Sequence, residues 1–228
     1  MIAKKTAAEK AVEYIREGMV VGLGSGTTAF YAIQKIGEKV KAGLKIRAVA
    51  TSLQSESIAK ELKIPLIPLN ETEGVDSIDV AFDGADEVDT KGNLIKGGGG
   101  SLLREKIIAY ASKRFHVMVD DSKLVERLGR VSLPVEIIPF GATLTLKHLK
   151  SLGCEPVLRK SNGKYFITDN GNLIADCKFA DIGDPAQLDV KIKMIPGVIE
   201  TGLFSNKIIT SLFIGSQTGE VREIFINP

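Results

Sequence analysis

Tryptophan is absent from the 228 residues, and histidine and cysteine occur only twice each. The two cysteines, Cys154 and Cys177, are far apart and match no C-x-x-C pattern. They read as reduced, partly buried thiols of an intracellular protein. An excess of either charge is missing too: 30 basic residues stand against 28 acidic ones, a formal charge of +2. Such a balance makes no general field for nucleic acid or a membrane surface and leaves room only for a local basic pocket. No apolar run approaches the ~20 residues needed to span a bilayer. The first residues, "MIAKKTAAEKAVEYIREG", have no apolar stretch of the kind a signal peptide needs. These absences describe a soluble, cytoplasmic protein. What is present is a hydrophobic content of 44%, too high for general disorder, in a length that suits one large or two small domains.

The first half alternates helical spacing with short apolar runs. "KTAAEKAVEYIREG", "TTAFYAIQKIGEKVKAG", "LQSESIAKELK" and the stretch from Ser101 read as helices. "MVVGLG", "LKIRAVAT", "IDVAFDGAD" and "RFHVMVD" read as the strands between them. Strands separated by helices of this length imply a parallel sheet with right-handed crossovers. From Gly129 the pattern changes: helices "GATLTLKHLKSLG" and "DPAQLDVKIKMI" are mixed with strands, and Asn162-Gly163 and Asn170-Gly171 are hairpin signals. The expectation is a Rossmann-like α/β domain, residues 1–128 plus 205–228, with a smaller inserted α+β domain of ferredoxin-like type at 129–204. No internal repeat, low-complexity tract or long charge block interrupts it.

Ligands of open parallel sheets bind beyond the carboxyl ends of the strands, and three polar loops leave strands in that direction. The first is "GLGSGTT", residues 22–28. Glycines let backbone amides turn toward an anion, the hydroxyls of Ser25, Thr27 and Thr28 add donors, and the helix dipole favours negative charge. A turn chosen for packing alone is the competing reading. The strand that ends "AVATS" has no acidic residue for a dinucleotide ribose, and the loop has no lysine for a P-loop. A small phosphorylated ligand fits better than NAD or ATP. The second loop, "DGADEVD", spaces Asp83, Asp86 and Asp89 by three, whereas calcium loops alternate by two, and no histidine or cysteine is near. No metal site is expected. Asp89 reads as a turn residue, while Asp83 and Asp86 suit sugar hydroxyls and proton movement during ring opening.

The third loop, "KGGGGSLLREK", sets four glycines before a helix, although each glycine loses more backbone freedom on folding than any other residue. With Ser101 as N-cap, the peptide groups of residues 97–100 and the helix start are expected to face one point, suited to a developing oxyanion. Lys96 adds positive charge. Glu105 is either an acid complementing the helix dipole or, beside the other loops, a general base. His116 reads as packing and His148 as a helix-surface residue. Lys123 by composition is a solvated turn lysine, and Lys4 is a helix-start lysine able to reach phosphate or remain solvated.

Together "GLGSGTTAF", "DGADEVD" and "KGGGGSLLREKI" closely resemble the three active-site segments of type A ribose-5-phosphate isomerases. "DDSKLVERLGRVSLPVEIIP", "DNGNLIAD" and "IPGVIETGLF" extend the resemblance along nearly the whole chain. It implies interconversion of D-ribose 5-phosphate and D-ribulose 5-phosphate in the pentose phosphate pathway, with no metal or organic cofactor. It implies Glu105 as the proton-transferring base. Ser25, Gly26, Thr27 and Thr28, then Asp83, Gly84, Ala85 and Asp86, then Lys96, Gly97, Gly98 and Gly99, and finally Lys123 are the implied ligand-binding positions. Asp83, Asp86 and Lys96 are also expected to serve the chemistry. A homo-oligomer, dimer or tetramer, acting on a small sugar phosphate is implied as well. Two rivals stand beside this reading. A coenzyme A transferase-like enzyme would use Glu105 on a thioester, and a non-catalytic sugar-phosphate sensor would bind without turnover.

Overall fold

The computed structural model describes residues 1–69 and 78–227. In chain order the first elements are α1 (Ile2–Ala11), β1 (Val20–Leu23), α2 (Gly26–Lys41), β2 (Arg47–Ala50), α3 (Leu53–Glu61) and β3 (Val80–Asp83). Then come β4 (Glu87–Val88), β5 (Leu94–Ile95), α4 (Leu102–Ala111), β6 (Phe115–Asp120), β7 (Leu133–Ile137), α5 (Ala142–Lys150) and β8 (Cys154–Leu158). The last are β9 (Lys160–Ser161), β10 (Lys164–Tyr165), β11 (Leu173–Phe179), α6 (Pro185–Lys193), β12 (Val198–Thr201), β13 (Leu203–Phe204), β14 (Ser211–Gly215) and β15 (Val221–Phe225). The chain groups into two compact units. Met1–Ala85, Arg104–Lys123 and Lys207–Pro228 form the first; Asp86–Leu103 and Leu124–Asn206 form the second.

The first unit is built on a sheet of order β15-β14-β6-β3-β1-β2. Every pairing is parallel except that of β14 with β15, which closes one edge. β1, β3 and β6 are buried along their whole length, as strands with both faces covered by helices must be. Val21, Leu23, Ile33, Ile36, Phe82 and Phe213 meet in one core. α1 buries only alanines at its contact face, Ala3, Ala7, Ala8 and Ala11, so it lies close against β6 and β14.

The second unit holds an antiparallel sheet of order β12-β7-β11-β8. With α5 after β7 and α6 after β11, this is the split β-α-β arrangement of ferredoxin-like folds. Leu133, Val135 and Ile137 of β7 share a core with Leu149 of α5 and Ile192 of α6, while the alternate residue Glu136 faces the other way. The β9–β10 hairpin turns at Asn162 and Gly163, with φ of 51° and 78°, the left-handed pair that an Asn-Gly turn supplies. Residues 86–103, placed by pattern with the first half of the chain, group here with the second unit, where β4 and β5 form a small sheet with β13. That stretch reads as a polar turn because its strands are only two residues long.

Candidate active site

The first loop descends from β1 onto β3. Gly24 N donates to the Phe82 carbonyl at 2.9 Å. A Cβ on Gly24 would stand 2.3 Å from Asp83 Oδ1 and 2.5 Å from the Phe82 carbonyl oxygen, so a side chain there would force the strands apart. Asp83 Oδ1 accepts from Ser25 N at 3.0 Å and from Gly84 N at 2.8 Å, which ties the loop to its own turn. Asp83 is 2% exposed. Ser25 then occupies the N-cap of α2 but provides no side-chain cap. Its hydroxyl turns instead to Thr51 Oγ1 at 2.7 Å and Ser52 Oγ at 2.9 Å. The first amides of a helix have no intrahelical acceptor, so at a start without a side-chain cap they are left to acceptors from outside the helix.

Thr28 is buried and faces Gly84, where a Cβ would lie 3.7 Å from its Oγ1. Thr27 is exposed, and its Oγ1 accepts from Lys4 Nζ at 3.1 Å. A cavity of about 310 Å³ borders the loop on the side of α3, between Phe30, Tyr31, Gln54, Ser55 and Ile58. Gly24, Ser25, Gly26 and Thr27 of the loop line it as well, whereas Asp83 and Thr28 do not.

In the second unit the run of glycines proves to be a braced turn. Gly97 and Gly100 adopt φ of 97° and 86°, in the left-handed region that side chains avoid, and Gly100 N donates to the Gly97 carbonyl at 2.9 Å. A Cβ on Gly100 would strike the Phe166 ring at 2.4 Å. Gly98 N donates to Asp86 Oδ2 at 2.8 Å. Two of the four amides are thus committed within the unit, contrary to the expectation that all four face one point. Those of Gly97 and Gly99 make no hydrogen bond among the described residues. Lys96 is 3% exposed with its ammonium 5.4 Å from the centre of the Phe204 ring.

Glu105 lies in the first turn of α4 and is 5% exposed, an unusual place for a carboxylate. Lys123 ends a 3-10 turn, Asp121–Lys123, that follows β6. The first unit therefore brings together Ser25, Gly26, Thr27, Thr28, Asp83 and Gly84, and also carries Ala85, Glu105 and Lys123. The second carries Asp86, Lys96 and Gly97 to Gly99.

The family model described as ribose 5-phosphate isomerase A (phosphoriboisomerase A) matches residues 47–219. A ribose-5-phosphate isomerase A of Bacillus mycoides is 50% identical over 220 residues, 96% of this chain and 98% of that protein. One from Thermoplasma acidophilum is 49% identical over 95% of this chain and 89% of its own length. Among solved structures, ribose 5-phosphate isomerase from Plasmodium falciparum superposes with a TM-score of 0.92 at 39% identity, covering 97% of both chains. A D-ribose-5-phosphate isomerase in complex with phospho-erythronic acid gives 0.91 at 42% identity, also covering 97% of both chains. The chain belongs to the ribose-5-phosphate isomerase A family. It is an aldose–ketose isomerase.

Several residues of this isomerase escape sequence reasoning. Glu87, fully buried beside Asp86 in sequence, accepts from Gly129 N at 2.8 Å and Val131 N at 2.6 Å. Arg159 donates through Nη1 to the carbonyls of Gly97 at 3.0 Å and Gly98 at 2.9 Å. Its Nε and Nη2 grip both oxygens of Asp176 at 2.9 and 2.5 Å, a bidentate pair that fixes the guanidinium. Each of the three acids in "DGADE" therefore accepts backbone amides of a loop. His116, read as packing, sits among the rings of Tyr14, Phe82 and Phe213. Burial, aided by Arg114, pushes its imidazole down to about 4, so it is neutral at neutral pH. Among the described residues no cluster of His, Cys, Asp or Glu is arranged to hold a metal ion, and no helix is long and apolar enough to cross a membrane.

Proposed function

We propose that the isomerase interconverts D-ribose 5-phosphate and D-ribulose 5-phosphate through an enediolate, with Glu105 as the general base. The observation that carries this reading is the buried carboxylate of Glu105 in the first turn of the helix that follows the glycine run. The start of α2, with Thr27, Thr28 and the loop amides, anchors the phosphate, and Lys4 and Lys123 add positive charge. Asp83 and Asp86 receive sugar hydroxyls and assist ring opening while holding their loops. On the open-chain aldose, Glu105 takes the C2 proton, the electron pair forms the C1–C2 double bond, and negative charge passes to O1. The amides of Gly97 and Gly99, with Lys96, stabilise that charge. Return of the proton to C1, with loss of the O2 proton and gain of one at O1, gives the ketose.

A structural relative's complex with phospho-erythronic acid supports this chemistry, because a carboxylate next to a hydroxyl-bearing carbon imitates the planar, charged enediolate. On this reading the enzyme acts in the cytoplasmic pentose phosphate pathway as a homo-oligomer. It is tested with purified protein treated exhaustively with EDTA and supplied with ribose 5-phosphate. Ribulose 5-phosphate should form at the rate of untreated enzyme. Absence of turnover would leave the sensor reading, exchange of coenzyme A thioesters would favour the transferase, and activity restored by one divalent ion would reject the metal-free route.

A further inference from the structure

We propose that Asp120 is a positioning residue: through Lys4 it holds an ammonium against the start of α2, so that a phosphate group arriving there meets a charge already in place. The inference rests on the reading of α2 as the phosphate anchor and adds how that anchor is built.

Asp120 is the last residue of β6, and its neighbour across the sheet is Gly215 of β14. A Cβ on Gly215 would lie 1.9 Å from the Ala3 carbonyl oxygen, so glycine lets α1 rest its backbone directly on the strand. That contact fixes Ala3 and brings the next residue, Lys4, over the strand ends. Lys4 Nζ then stands 3.8 Å from Asp120 Oδ2 and donates to Thr27 Oγ1 at 3.1 Å. The side chains are 30% and 9% exposed, so the lysine head is open while the carboxylate is nearly covered. The other oxygen, Asp120 Oδ1, accepts from Ser122 N at 3.1 Å and from the Ser122 hydroxyl, which fixes the carboxylate plane. Burial alone would raise its pKa, but the Ser122 bonds, Lys4 and Lys123 outweigh burial and hold the group below the ordinary range, hence ionised.

A lysine carries its charge on a flexible four-carbon stem and is strongly hydrated. Left alone it would lose that freedom each time a phosphate bound, whereas a lysine already held has less left to lose. Asp120 also brings negative charge toward an anion site, an effect of opposite sign. The positioning account requires the first effect to exceed the second.

The test measures the competitive inhibition constant of inorganic phosphate and the KM of ribose 5-phosphate in Asp120→Asn, Lys4→Met and the double variant. Asp120→Asn can keep the oxygen that accepts from Ser122 while it removes the charge and sets an amide NH2 in place of the oxygen facing Lys4. It should raise both constants about two- to fivefold, the scale of a partly exposed ion pair, while kcat moves far less. The double variant should be no weaker than Lys4→Met. Equal or tighter phosphate binding in Asp120→Asn, or a loss that multiplies with that of Lys4→Met, would overturn the inference. If Asp120→Asn fails to fold, Ser122→Ala takes its place, with a smaller rise expected only when Lys4 is present and no rise counting against the proposal. Thr28→Val separates the two readings. If it weakens phosphate inhibition and Lys4→Met does not, the anchor stands and the positioning fails; if neither matters, the anchor itself is wrong.

Discussion

α2 and α3 begin alike and are finished differently. Each follows a parallel strand of the same sheet, and each has serine at its N-cap, Ser25 and Ser52. Ser52 caps in full: its hydroxyl accepts from Ser55 N at 3.0 Å, and Ser55 Oγ accepts from Ser52 N at 3.1 Å. Ser25 leaves its helix without a side-chain cap and spends its hydroxyl on Thr51 and on Ser52 itself. An N-cap contributes about 1 kcal/mol, so α2 forgoes a stabilisation that its own sequence offers. On the proposed reading, the amides left open at the start of α2 are what a phosphate would meet. The comparison teaches that two helix starts with the same N-cap residue can be finished by different partners; α1 and α5 also begin without a side-chain cap, so a withheld cap does not by itself mark a site.

Three substitutions break or sharpen the contrast. The largest effect is expected for Thr28→Val, which deletes a proposed phosphate donor at similar volume. Its loss of about 1.5–3 kcal/mol, the value of a hydrogen bond to a charged group, corresponds to a KM raised roughly ten- to 150-fold. A collapsed kcat at unchanged KM would move this loop from the anchor to the chemistry. Next is Ser52→Ala, expected to cost about 1 kcal/mol in urea unfolding with KM little altered. A large change in KM there would mean that the two helix starts are not separable in function. Smallest is Ser25→Ala, which removes hydroxyl contacts but no cap. Its stability should fall by less than about 1 kcal/mol, and a loss as large as that of Ser52→Ala would show that Ser25 caps in solution.

The alternation of helices and buried strands was legible because each carries its own apolar period. β4 and β5 were not, since two-residue strands inside "DGADEVDTKGNLIKG" have no period to detect. Two of the three loops stood out because glycine runs are costly to order and therefore need a reason, and the third by its spaced aspartates. What remained hidden was how they are held. Arg159 reaches Gly97 across 62 residues of sequence, and Glu87 reaches Gly129 across 42. In sequence one is a lysine-flanked arginine before a hairpin and the other an acid in a turn; only tertiary contact gives either its role. The acids of "DGADE" show the same limit. Sequence offers Asp83 and Asp86 as candidates for sugar hydroxyls and says nothing of Glu87, and the use of all three as acceptors for loop amides depends on where the chain returns.

Glu105 carries the central claim and is best tested by the fate of the substrate's C2 hydrogen. Glu105→Gln keeps the side-chain shape and removes its basicity, so the variant should fold and bind phosphate like the parent enzyme. Turnover of ribose 5-phosphate should fall roughly 10²–10⁴-fold, the usual contribution of a positioned general base. Exchange of the C2 hydrogen with deuterated solvent, followed by NMR in the same tube, should fall in parallel. A folded Glu105→Gln protein that isomerises and exchanges at the parent rate would remove Glu105 from the proton's path, leaving it as an acid that complements the start of α4.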